Sequence, residues 1–111
     1  MKIENTVAQM RKGVLEFCIL SLLKQKDLYS SEILLALKQS KMLVVEGTLY
    51  PLLNRLKNAN FLTYRWEEST GGPPRKYYTI TAEGKVFLAA LKGAWTELNQ
   101  SVNNITQTNK K

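Results

Sequence analysis

The sequence predicts a mainly helical α+β fold in one small domain: helices first, then a hairpin, then a long helix. Three observations carry this. Apolar residues recur at helical spacing up to Leu56, the period drops to two from Leu62, and helical spacing returns after Thr81. With 111 residues, 44% of them apolar, the chain is long enough for one core. The domain proper is expected over residues 10–81, preceded by a flexible segment 1–9. A helix over 82–106 follows it, and residues 107–111 form a disordered tail.

The first helix is expected over residues 10–24, where Val14, Leu15, Cys18, Ile19, Leu22 and Leu23 follow the i, i+3, i+4, i+7 rule. Phe17 and Leu20 widen the stripe nearly all round, so this helix must be covered on more than one side. Residues 25–27 form a polar connection. Ser30 or Ser31 can cap a second helix, with Glu32 in its first turn and Ile33, Leu34 and Leu37 facing inward. Residues 41–45 are expected to pair as a short strand. A third helix starts at about Glu46, with Leu49, Leu52, Leu53 and Leu56 inside and Pro51 near the first turn. Its other face presents Thr48, Asn54, Arg55 and Asn58, with Tyr50 and Lys57 on one flank. Asn60 is expected to end it in a left-handed conformation.

Leu62, Tyr64 and Trp66 alternate with Thr63 and Arg65, which reads as a strand. Residues 69–74 are a glycine- and proline-rich turn, and residues 75–80 return as the second strand of an antiparallel hairpin. Tyr77 and Tyr78 must then point to opposite faces. Glu67 and Glu68 offset the positive charge of the hairpin. Thr81 caps the last helix, in which Leu91, Trp95, Leu98, Val102 and Ile105 form a two-heptad apolar seam. So long a helix has little domain of its own to lie against. A second copy of the chain is the economical partner.

The inventory excludes much chemistry. The chain has no histidine, so the commonest general base and metal ligand is missing. Its one cysteine, Cys18, can form no internal disulfide and sits among apolar neighbours as a small hydrophobe. No apolar run exceeds six residues, too short to span a membrane, and the first residues are read as carrying no signal peptide. The sequence therefore predicts a cytoplasmic, non-enzymatic protein with no cofactor, no metal and no membrane partner. Sixteen Lys and Arg against nine Asp and Glu leave a net charge of +7, which favours a polyanion.

Three helices followed by a hairpin is the order of a winged helix-turn-helix. Its third helix can enter the major groove of double-stranded DNA, while the hairpin, or wing, sets its cations on phosphates or the adjacent minor groove. The alternative is a winged-helix module that binds another protein and no DNA.

Residues 47–56 (GTLYPLLNRL), 67–69 (EES), 72–81 (GPPRKYYTIT) and Gly84 closely resemble the PadR family of transcriptional regulators. Residues 29–33 (YSSEI) resemble the family's usual Tyr-Gly-x-Glu-Ile, with Ser30 where Gly is common. The resemblance covers roughly residues 10–100, and the single short C-terminal helix is similar to that of the small, LmrR-like members. It implies a homodimer that binds an inverted-repeat operator and usually represses. The residues expected to meet DNA are Ser30, Ser31, Thr48, Tyr50, Asn54, Arg55, Arg75 and Lys76. Tyr50, on its flank, is left between packing and a phosphate contact. The expected dimer interface is Leu91, Trp95, Leu98, Val102 and Ile105. Trp95 lies eleven residues after Gly84, at the position where the LmrR-like members stack flat drugs, which implies a planar aromatic effector. Asn99 stands where that pocket has a carboxylate.

Overall fold

Leucine stripes from three helices meet under a small sheet. The computed structural model describes residues 1–107. Its order is α1 (Ile3–Lys12), α2 (Leu15–Gln25), β1 (Leu28–Tyr29), α3 (Ser30–Gln39), α4 (Glu46–Asn58), β2 (Leu62–Ser69), β3 (Gly72–Ile80) and α5 (Ala82–Thr106). Leu15, Ile19, Leu20 and Leu23 are the buried residues of α2. Ile33 and Leu37 of α3 and Leu49, Leu53 and Leu56 of α4 share that core. Leu62, Tyr78 and Leu88 close it from the sheet and from α5. A buried leucine contributes about 2–3 kcal/mol relative to an exposed one, so these stripes dominate stability. Cys18 packs at the core's edge, and burial pushes its thiol pKa up, as suits an inert small hydrophobe.

The N-terminal half differs from the sequence expectation in four places. Residues 1–9, expected as a flexible segment, contribute most of helix α1, and the single helix over 10–24 is broken at Gly13 and Val14. Ile3, Val7 and Met10 are spaced for one helical face, but no residue of α1 is buried, so the stripe is thin. Residues 41–45 form no strand. Lys41 takes φ of 65°, and the Met42 N–H turns back to the Leu37 carbonyl at 2.8 Å. Met42 and Val44 then pack inward, while the open edge of β3 is taken by Leu28 and Tyr29, a two-residue strand too short to show a period. Tyr29 rather than a serine stands at the N-cap of α3, and Ser30 and Ser31 are its first helical residues. The Tyr29 N–H donates to the Glu32 carboxylate at 3.1 Å. Pro51 lies in the second turn of α4 rather than the first, so it removes a donor to the Gly47 carbonyl.

From Asn60 onward the expected order is found. Asn60 has φ of 69°. The sheet order is β1-β3-β2, antiparallel throughout, with Tyr64 opposite Tyr78 and Trp66 opposite Lys76. Residues 72–74 belong to β3, not to the turn, which shrinks to Thr70 and Gly71 at φ of 74°. Pro73 and Pro74 face opposite edges of β3 and are tolerated because β1 reaches only as far as Tyr77 on one edge, while on the other the ladder to β2 is interrupted between Glu67 and Ser69. Thr81 locks the corner: its hydroxyl donates to the Asn60 carbonyl at 2.7 Å and accepts from the Gly84 N–H at 2.9 Å. Gly84 is required here, because a Cβ would lie 2.2 Å from the Phe61 carbonyl oxygen. Beyond Leu91, α5 leaves the core with every side chain exposed. Gln107 ends it, and residues 108–111 of the expected tail lie outside the described residues.

Candidate nucleic-acid interface

The outward face of α4 is pinned on both flanks. On one, the Tyr50 and Ser30 hydroxyls hydrogen-bond at 2.8 Å, tying α4 to the first residue of α3. On the other, the Arg55 guanidinium lies 2.7 Å from Glu16 of α2. That contact is a charge pair rather than a well-aimed hydrogen bond, since the buried Glu16 Oε2 receives no donor. Thr48 is half-buried, whereas Asn54 and Ser31 are exposed.

Strand β3 of the wing carries two cations, Arg75 and Lys76, on opposite faces, as adjacent strand residues must. Arg75 donates to the Tyr29 hydroxyl at 3.0 Å, with its guanidinium 4.5 Å from that ring's centre. The Tyr29 ring meets Tyr77 edge-on at 5.1 Å. Lys76 lies on the other face, its ammonium 4.3 Å from the Tyr64 ring centre. Both cations nevertheless reach one cleft of about 370 Å³, together with Ser30, Tyr50 and Trp66.

A polar network joins the wing to the start of α3. Arg65 of β2 bridges Asp27 at 2.5 Å and Glu67 at 2.8 Å. Asp27 also accepts a hydrogen bond from Thr79 of β3. That hydroxyl, with the Arg65 guanidinium, holds the Asp27 carboxyl below its usual range. Asp27 directly precedes β1, so the network fixes the wing against the segment that enters α3.

Of the eight residues expected at DNA, four share this cleft: Ser30, Tyr50, Arg75 and Lys76. Thr48 and Arg55 line a separate cleft of about 480 Å³ on the far flank of α4, beside Lys12 and Glu16. Ser31 and Asn54 line neither. The sequence reading missed Tyr29, Trp66, Glu16 and Asp27. Trp66 could have been found, because a tryptophan on a solvent-facing wing strand needs a reason.

Along α5, Leu91 is half-buried against the core, and Trp95, Leu98, Val102 and Ile105 are between 40% and 80% exposed. The seam is therefore an unpartnered apolar face on the single chain. Among the described residues, no cluster could hold a metal ion and no helix is long and apolar enough to cross a membrane.

The profile of the transcriptional regulator PadR-like family matches residues 19–90. A PadR-like transcription factor from Bacteroides fragilis is 55% identical, with a TM-score of 0.76 over 92% of this chain and 99% of its own. A PadR family transcriptional regulator from Eggerthella lenta is 32% identical, with a TM-score of 0.83 over 96% of this chain and 90% of its own. A PadR-like transcriptional regulator from Bacillus cereus is 39% identical, with a TM-score of 0.79 over 90% and 98%. The helix-turn-helix, the wing and these likenesses agree: the chain belongs to the PadR-like family of winged-helix transcriptional regulators.

Proposed function

We propose that the chain is a homodimeric repressor of the small, LmrR-like kind, binding an inverted-repeat operator. In this reading α4 enters the major groove with Thr48, Asn54 and Arg55 toward base edges. Ser30, Ser31, Tyr50, Arg75 and Lys76 contact the backbone. The observation that carries it is the shared cleft. Two wing cations and two hydroxyls, from three elements of the fold, converge beside the exposed face of α4.

The α5 seam of Leu91, Trp95, Leu98, Val102 and Ile105 supplies the two-fold contact. A dimer places two recognition helices about one DNA turn apart, which an inverted repeat matches. Two Trp95 rings facing across that axis would accept a flat aromatic effector, which would change the angle between the α5 helices and so misfit the half-sites. Asn99 offers such a ligand no charge. Footprinting on DNA upstream of the chain's own gene tests the reading. Two protected half-sites related by a dyad are expected, and protection without dyad symmetry contradicts the operator assignment.

A further inference from the structure

We infer that Trp66, with Tyr64, is a positioning residue that holds the Lys76 ammonium ready for a DNA phosphate. The inference rests on the proposed DNA-binding role of the wing. Trp66 is 62% exposed, so the core does not account for it. It stands directly opposite Lys76 in the hairpin, and Tyr64 stands opposite Tyr78, which puts all four side chains on one face of the sheet.

The ammonium sits 4.3 Å from the centre of the Tyr64 ring, 5.5 Å from Trp66 and 5.8 Å from Tyr78. The Tyr64 and Trp66 rings are 6.3 Å apart at 85°, so they form two walls of a corner rather than a stack. Electron-rich ring faces attract an ammonium without neutralising it. A carboxylate in the same place would cancel the charge, and among the described residues none pairs with Lys76. Its hydrogens therefore stay available while its long stem is restrained.

A free lysine loses much rotamer freedom when it grips a phosphate. One already ordered by flanking rings loses less, and the saving appears as affinity. Arg75 is treated likewise on the opposite face, held to the Tyr29 ring and hydroxyl. The two cations thus arrive at the shared cleft already placed.

A double-mutant cycle tests this on mixed-sequence duplex DNA at fixed low salt, since a phosphate contact is independent of sequence. Trp66→Leu is expected to weaken binding by about two- to fivefold, the scale of an exposed cation–π contact. Trp66→Phe should recover most of that loss, because the ring face is kept. In a Lys76→Ala chain, Trp66→Leu should have no further effect. Equal losses with and without Lys76 would show that Trp66 meets DNA itself, and would overturn the inference. So would a Trp66→Leu chain that binds like the wild type while Lys76→Ala is weak. A Lys76→Ala chain that binds normally would remove the wing reading as well. Unchanged thermal unfolding of Trp66→Leu separates positioning from folding.

Discussion

The Arg55 guanidinium of α4 rests 2.7 Å from the Glu16 carboxylate of α2, so the strongest base-reading candidate on the recognition helix is already engaged. The Arg55 side chain is 72% exposed, and a pair that open to water is worth at most about 1 kcal/mol. A guanine edge can therefore compete for it. Glu16→Gln should release Arg55 and tighten operator binding by roughly twofold, about half of one such pair. Arg55→Ala should change the ranking of operator variants in a competition assay. Equal losses on every sequence would make Arg55 a phosphate contact.

Asp27 gives a pH-dependent test of the wing anchor. Its pKa is lowered in the folded chain, first by the Thr79 hydrogen bond and then by Arg65. The stabilisation is therefore present above the ordinary carboxylate value near 3.8 and is lost as pH falls through the lower folded value. Asp27→Asn should lower the unfolding midpoint at neutral pH by about 5 °C, for loss of roughly one charge-assisted hydrogen bond. The gap between mutant and wild type should close only in strong acid. A gap that persists at the acid end would assign the loss to packing instead.

Gly84 tests the corner that launches α5. Alanine there would drive its Cβ against the Phe61 carbonyl, a backbone atom with no rotamer to yield. Gly84→Ala should cost about 2 kcal/mol, read by thermal or denaturant unfolding. Gly93, on the exposed part of α5, has nothing within 4 Å of the same position, and Gly93→Ala should stabilise the helix slightly.

What the sequence made legible follows from how strong each local signal is. The leucines of α4, the alternation from Leu62 to Trp66 and the Thr81 cap each have a period or a hydrogen bond that only one structure satisfies. Helix α1 was missed because its stripe buries nothing within the chain. Strand β1 was missed because two residues carry no period, and residues 41–45 misled because apolar residues extended along a core resemble a strand. At the interface, the residue types were readable, but their pairings were not. Arg55 with Glu16, Arg75 with Tyr29 and Asp27 with Thr79 join positions 39, 46 and 52 residues apart, which only the fold brings together.

The seam on α5 predicts the assembly. Leu98→Lys together with Val102→Lys should give monomers by light scattering, because lysines repel across a two-fold contact. A dimer that survives both changes would place the interface elsewhere.

The effector proposal is testable by fluorescence, with Trp66→Phe made first so that Trp95 alone reports. Planar dyes and phenolic acids are expected to shift or quench that emission and to weaken operator binding by a coupling of about 1–3 kcal/mol. Emission unchanged across both classes would leave Trp95 as a packing residue of the seam.

The most direct test of the account is the salt dependence of DNA binding, measured for the wild type and for Arg75→Ala with Lys76→Ala. Counterion release predicts a steep log–log slope for the wild type, shallower by roughly two in the double mutant, and a loss of affinity that is equal on all sequences. A wild-type slope near zero, or one that the double mutant leaves unchanged, would contradict the assignment of the α4–wing cleft as the DNA-binding face.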